Sequence, residues 1–385
     1  MNTSLEYSKQ LSFPRLVGTE GELKAASFIT SFLKSQGYEV REEYFNIYLT
    51  PWSLLKTGTS IGLILLISSW IIHQTHPFFA AGLSFFLVLS ITFSDRIWYY
   101  VAKRKNFPSF LKPFKSKNII ASLNNKVTDK IKPHLFLIAH YDSKSQNVSL
   151  SIRIIFSILL ILSCLLLSNQ YVAGSINPQQ PKFLLNLYSS IALICSIFFL
   201  FLKTENKSCG SLDNGGSLGV LLELAGQIKK EIPENITITF LFTGAEELGL
   251  LGSFAFLNSH YKELKEGNSF FLNLDGIGIQ GKLRIVSGSS LFFPASRNKL
   301  YSAIKKTSQK LSIRSTPFII LPGLMMDHIP FVNLGLCAVS LCCVSEKSFM
   351  IHTKKDTLGL LEENGLDEVV NLIKSLIKEL EQERE

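Results

Sequence analysis

The sequence is poor in charge. Only 18% of its 385 residues are Asp, Glu, Lys or Arg, against about a quarter in a typical soluble chain, and the mean hydropathy is +0.25. A disordered chain is excluded by that composition, and an ordinary soluble enzyme fits it badly. Other absences narrow the field. Met1–Thr50 holds no basic stretch leading into an apolar run, so no export signal is expected and the first apolar segment reads as a span. There is no GxGxxG or P-loop, and no internal repeat in the polar parts. The six cysteines lack zinc-finger spacing. Cys164 and Cys195 fall in apolar runs, and adjacent Cys342-Cys343 read as small hydrophobes in a strand. The net charge of +9 is not a nucleic-acid signal, because much of it flanks the apolar runs and no basic-aromatic pattern accompanies it.

What is present is concentrated hydrophobicity. No charged residue occurs from Thr57 to Ser94, too long a run for one span of about 20 residues. His73-Gln74-Thr75-His76-Pro77 divides it, which predicts helices over 57–74 and 78–100. Ile154–Leu167 and Phe183–Leu202 form a second apolar pair around the polar stretch Ser168–Lys182, broken by Gly174, Pro178 and Pro181. Four transmembrane helices in two hairpins, 55–105 and 150–203, are therefore expected. Lys56, Arg96, Lys103, Arg104, Lys105, Lys144, Arg153, Lys203 and Lys207 lie near the spans outside the hairpin tips, where only Lys182 stands. The positive-inside rule then puts the large polar regions and both termini in the cytoplasm.

Removing the hairpins leaves 1–54, 106–149 and 204–385, enough chain for one α/β domain. Glu20–Gln36 has helical periodicity, with Leu23, Ala26, Phe28, Ile29, Phe32 and Leu33 on one face. Gly215–Lys230 and Leu366–Glu383 also read as helices. Strands are expected at Tyr38–Ile47, Asn118–Leu123, His134–Ala139, Ile236–Phe242, Phe270–Leu274, Leu283–Ser287, Phe318–Ile320 and Ala338–Val344. That alternation implies a mixed, mainly parallel sheet flanked by helices.

Five polar clusters stand at strand ends or helix starts: His140-Tyr141-Asp142, Asp213-Asn214, Glu246-Glu247, Asp275-Gly276, and His352-Thr353 with Asp356-Thr357. Open α/β sheets bind ligands in that place. Singly, each has an ordinary explanation: a core histidine, a helix cap, a solvated turn, a turn former. Together, two histidines and several carboxylates suit zinc or another divalent ion. They suffice for two ions sharing a carboxylate around a bridging water. One of two adjacent glutamates can bind metal while the other stays free as a base.

These five elements, in this order, resemble peptidase family M28, the dinuclear zinc aminopeptidases. Asn273-Leu274-Asp275 and the opening Arg15-Leu16-Val17-Gly18-Thr19-Glu20-Gly21-Glu22 agree as well. The resemblance covers the three polar pieces and omits both hairpins. It implies a zinc-exopeptidase-like three-layer fold and two Zn2+ ions. By it, His140 and Asp275 hold one zinc, Glu247 and His352 the other, and Asp213 bridges. Glu246 is the general base, and Asp142 orients His140. Asp327-His328 resembles a family segment on the substrate side. Ile351 stands where some relatives have tyrosine, and Leu212 where many have a second acid.

The expected activity is membrane-anchored removal of N-terminal residues from peptides, with hydrophobic or membrane-released substrates. Both hairpins are expected to leave the domain on its active-site side, where they either shape the cleft or only tether the domain to the bilayer. Three other readings stay open: a glutaminyl-cyclase-like acyl transfer, a carboxypeptidase or dipeptidase, and a non-catalytic receptor or scaffold on a peptidase fold.

Overall fold

The computed structural model describes residues 3–104, 107–108, 111–123, 132–177, 179, 182–288, 298–319 and 324–382. Lys105, Pro178, Pro181, Ile320 and Glu383, named above, lie outside them. The chain divides into two compact units: 1–48, 105–145 and 205–385 in one, and 49–104 with 146–204 in the other.

The first unit is built on strands β1 (Glu39–Ile47), β2 (Phe114–Ser122) and β3 (His134–His140). Short β4 (Ser145–Gln146) and β5 (Thr204–Glu205) pair with each other where the chain leaves and returns. The later strands are β6 (Thr237–Thr243), β7 (Ser269–Leu274), β8 (Leu283–Val286), β9 (Thr316–Pro317) and β10 (Cys337–Cys343). The eight-stranded sheet runs β1-β2-β6-β3-β7-β10-β8-β9. Its centre, β6-β3-β7-β10, is parallel, while β1, β2 and β8 pair antiparallel towards the edges. The central strands are near-continuous apolar runs because both of their faces are covered.

Period-two alternation divides those residues between two layers. Leu135, Leu137, Ala139, Phe240, Leu272 and Val339 share one core with helices α1 (Ser4–Gln10), α2 (Glu20–Ser35), α8 (Gly216–Ile228), α10 (Lys299–Lys310) and α12 (Glu363–Gln382). Phe136, Ile138, Leu241 and Phe271 face the other way, onto α9 (Leu251–Glu266) and α11 (Ile329–Val332). There Phe271 stacks between Phe136 and Phe331, with centroids 4.8 and 4.3 Å away. The result is a mixed α/β, three-layer arrangement.

Two expectations change. Of the expected α2 face, Ala26, Ile29 and Leu33 are buried and Phe28 and Phe32 partly so, but Leu23 is 63% exposed and Ala25 is buried in addition. The strand expected at 318–320 lies at Thr316–Pro317, where parallel pairing with β8 fixes it. Helices α1, α9 and α10 had no sequence expectation. α9 and α10 carry mixed polar and apolar faces, and packing on the sheet decides them.

The second unit holds α3 (Pro51–Ile72), α4 (Pro77–Thr92), α5 (Ser94–Ala102), α6 (Leu150–Ile176) and α7 (Lys182–Leu200). α3 begins well before the apolar run because Thr50 and Ser53 form a reciprocal cap and Pro51 takes the first helical position. α6 runs on through Ser168–Ile176, past the expected polar break, and ends at Asn177 ahead of Pro178. Three helices, α3, α6 and α7, are long and apolar enough to cross a membrane. The expected single helix 78–100 is instead two, α4 and α5, bent by 60°. Phe93 leaves helical geometry at the break, and Ser94-Asp95 restarts the helix with an acid in its first turn.

Candidate metal centre

The parallel strands deliver the site. β3 ends on His140, β6 leads to Glu246 and Glu247, and β7 to Asp275. β10 leads through a loop to His352, and Asp213 stands in the turn before α8. Two groups of ligand-type atoms converge: His140, Asp213 and Asp275, and Asp213, Glu247 and His352, the atoms of each group lying within 4.8 Å of one another. Asp213 divides its carboxylate between them. Its Oδ1 is 3.0 Å from His140 Nε2 and its Oδ2 is 3.0 Å from His352 Nε2. Asp275 Oδ1 stands 3.8 Å from His140 Nε2, and Glu247 Oε2 stands 3.0 Å from His352 Nε2.

Both of these Nε2 atoms are buried, yet neither has a partner with hydrogen-bond geometry. Buried ring nitrogens aimed at carboxylates without a hydrogen bond are what a cation between them requires. On this observation the residues fit a pair of divalent ions.

The surroundings fix the loops. His140 Nδ1 lies 3.1 Å from the backbone carbonyl of Asp142 and 3.7 Å from its carboxylate. The Asp142 carboxylate itself accepts from the amides of Glu246 (3.1 Å) and Glu247 (3.0 Å), so it orders the glutamate pair more directly than the imidazole. Asn214 donates to the Leu274 carbonyl and accepts from Gly276 N, which pins the turn bearing Asp275. Ala245 and His352 both adopt left-handed backbone conformations, at φ 57° and 58°. Such strain at non-glycine residues persists only where the surroundings enforce it.

Arg15 is fully buried and binds across both ligand loops. Its Nε donates to Tyr141 O (2.8 Å), and its guanidinium also reaches Leu11 O, Phe13 O, Cys209 O and Gly210 O. Gly210, at φ 57°, permits this approach, since a Cβ there would meet Ser143 Cβ at 2.5 Å. Asp356 accepts from Leu212 N (2.6 Å) and Asp213 N (3.2 Å), holding the residue that the two groups share. Arg15 and Asp356 were legible only as parts of family motifs. No local pattern assigns them these jobs, because their partners are backbone groups distant in sequence.

Asp327 and His328 are fully buried and satisfied inside the protein. Asp327 accepts from Thr243 and from Ser253 (2.5 Å). His328 Nδ1 lies 2.6 Å from Ser340 Oγ and its Nε2 2.9 Å from Gly288 O. They brace the strand ends that carry the ligands. Lys144, expected as a membrane-flank charge, is instead only 13% exposed, with its Nζ 2.8 Å from Glu247 Oε2.

Electrostatics separate the two glutamates. Burial, then the nearby Asp275, Glu247 and Asp327 charges, raise Glu246 well above the ordinary carboxylate range against the pull of His140. Burial also works against ionising Glu247, but His352 and Lys144 overcome it and lower its pKa. Asp213 is held well below the usual value despite burial, by both histidines. Burial pushes Asp327 up to about 6 and Asp356 to about 7.

Residues 118–377 match the model of peptidase family M28. Aminopeptidase YwaD of Bacillus subtilis is 29% identical over 185 residues, 45% of this chain and 38% of that one. A vacuolar membrane protease of Vanderwaltozyma polyspora is 29% identical over 154 residues, 40% of this chain and 15% of that one. The chain thus matches well under half the length of either relative. Among solved structures, a zinc aminopeptidase from Bacillus subtilis superposes with TM-score 0.56 at 18% identity, covering 98% of this chain and 94% of that one. Glutaminyl cyclase of Porphyromonas gingivalis gives TM-score 0.53 at 15% identity, covering 98% and 97%. These likenesses identify the fold.

Proposed function

The chain belongs to peptidase family M28, and we propose that it is a membrane-inserted zinc aminopeptidase that removes N-terminal residues from peptides. The observation that carries this reading is the split carboxylate of Asp213, one oxygen to each of two buried imidazole Nε2 atoms that have no hydrogen-bond partner. In this reading His140 and Asp275 would hold one zinc and Glu247 and His352 the second, with Asp213 shared between the two groups. Bound there, two zinc ions supply Lewis-acid polarisation of the peptide carbonyl and an acidified water.

The chain's own groups do the rest. Glu246 Oε2, 3.9 Å from His140 Nε2, takes the proton of the attacking water and returns it to the departing amine. Asp142 positions Glu246 and Glu247 through their amides. Asp327 and His328 keep the strand ends in place.

The hairpins are proposed as four membrane spans inserted in the peptidase sequence, with the bent α4–α5 pair as the fourth. The peptidase unit and both termini then face the cytoplasm. Support comes from the three long apolar helices and the basic residues at their flanks. Substrates released within or beside the bilayer fit that anchorage.

Purified protein assayed on aminoacyl reporters, with and without chelator, tests the reading. Release of the free amino acid that stops on chelation and returns with Zn2+ is expected. Activity indifferent to chelation would overturn it. A glutaminyl-cyclase-like acyl transfer is the second reading, favoured by the lysine paired to the second group's glutamate, which disfavours a second ion. Cyclisation of N-terminal glutamine peptides without hydrolysis of the reporters would select it.

A further inference from the structure

The two groups of ligands are unequal, and Lys144 makes them so. Around His140 stand Asp213 and Asp275. Around His352 stand Asp213 and Glu247, so the groups match in number and differ in what contacts their carboxylates. The Glu247 oxygen that faces His352 at 3.0 Å is the same Oε2 that Lys144 Nζ contacts at 2.8 Å. Lys144 cannot readily swing away. Its Nζ also donates to Glu247 O (3.1 Å), its own amide donates to Glu247 Oε1 (3.2 Å), and its side chain is 13% exposed. A fixed ammonium therefore shares the electron density that the second ion needs, and its positive charge opposes a dication held by the same carboxylate. The first group has no such competitor in its described contacts.

We infer that Lys144 is a metal-discriminating residue: the His140 group takes its ion tightly, and the His352 group takes the second weakly. This rests on the metallopeptidase reading above and adds an order to it. The chain at low free zinc carries one ion, and the second loads only as free metal rises. A like charge within ~4–6 Å shifts a neighbouring charge equilibrium by on the order of 10- to 100-fold, and that is the expected weakening. Methionine at this position keeps the length of the stem and removes the charge.

The test counts ions. The detergent-solubilised full chain is stripped with chelator and dialysed to equilibrium against buffered free Zn2+. Elemental analysis then gives bound zinc per chain. Two steps are expected, the second at roughly 10- to 100-fold higher free zinc. Lys144→Met should draw the second step towards the first without moving the first, and Lys144→Arg, which keeps the charge, should leave two separate steps. Two ions loading together in the unaltered protein, or a Lys144→Met isotherm that matches it, would overturn the inference while leaving the metallopeptidase reading standing. A chain that binds no zinc would overturn both. Should Lys144→Met fail to fold, as judged by its thermal transition, Lys144→Gln carries the same comparison.

Discussion

The two units solve opposite problems with the same twenty side chains. The peptidase unit hides its large hydrophobes: Phe240, Phe242, Phe271 and Phe331 are fully buried. The helical unit turns such residues outward. Ile64, Ile71, Phe78, Phe79, Ile155 and Ile194 are exposed there, while Gly62, Ser69, Ala80, Ala81, Ser84, Ser163, Ala192 and Ser196 line the interior. Only 17–22% of the apolar windows of α3, α6 and α7 is buried. In water that arrangement is unfavourable by about 25 cal/mol per Å2 of exposed apolar surface. In lipid it costs nothing, and small residues allow close helix packing. Under the proposed membrane insertion, burying hydrophobes is a response to solvent rather than a property of the residue.

The contrast can be broken hardest among the buried acids of the candidate metal centre. Glu246→Gln should lower turnover by about 10³-fold or more while bound zinc per chain and the helical content of both units stay unchanged. Steady-state kinetics beside elemental analysis checks this, and retained turnover would remove Glu246 from the chemistry.

A matched pair of charges tests the solvent argument. Ile158→Arg, on an outward position of α6 that is 51% exposed, should cost about 3 kcal/mol of insertion. Leu23→Arg, 63% exposed on α2, should stay within ~0.5 kcal/mol. The membrane-integrated fraction of each variant reads the difference. Equal tolerance would mean that α6 faces water.

Acid separates the units next. Burial lowers His328 to about 4, against ~6.5 in an unfolded chain. The unfolded state therefore takes up its proton first as pH falls. Stability contributed by the neutral ring is complete above about pH 6.5 and is lost progressively down to about pH 4, about 3 kcal/mol in all. Asp327 and Asp356, raised to about 6 and about 7, act in the opposite sense over the same range, so the ring's share is read by difference: in thermal unfolding, His328→Asn should lose less stability on acidification than the unaltered protein. A slope unchanged by the substitution would assign the acid sensitivity elsewhere.

The smallest effects compare hydrogen bonds in the two solvents. Ser253→Ala strips a donor from the buried Asp327 carboxylate and should cost about 1–3 kcal/mol. Tyr171→Phe removes the 3.3 Å contact to Ser69 between α6 and α3 and should cost only ~0.6 kcal/mol. Denaturant titration of each variant sets the two side by side, and a larger loss from Tyr171→Phe would reverse the comparison.

Much of this was legible in the sequence, for reasons that can be named. β3, β6, β7 and β10 are double-faced strands, so their apolar runs stand out without context. The ligand clusters were legible because chemistry demands His, Asp and Glu just after such strands. The bend at Phe93 was missed, although Ser94-Asp95 marks a helix start, because the apolar run masked it. α9 and α10 went unread because their faces make sense only against the sheet.

By itself, then, the sequence determined the parallel centre, the apolar hairpins and the candidate metal-binding clusters, since each is a local pattern of residue type and spacing. Tertiary structure alone decided the rest. It gave Asp142 to the glutamate amides, brought Arg15 across two loops more than a hundred residues away, and moved Lys144 from a membrane flank onto Glu247. Those roles depend on which backbone groups and charges meet across the fold, and a partner distant in sequence leaves no trace in local spacing.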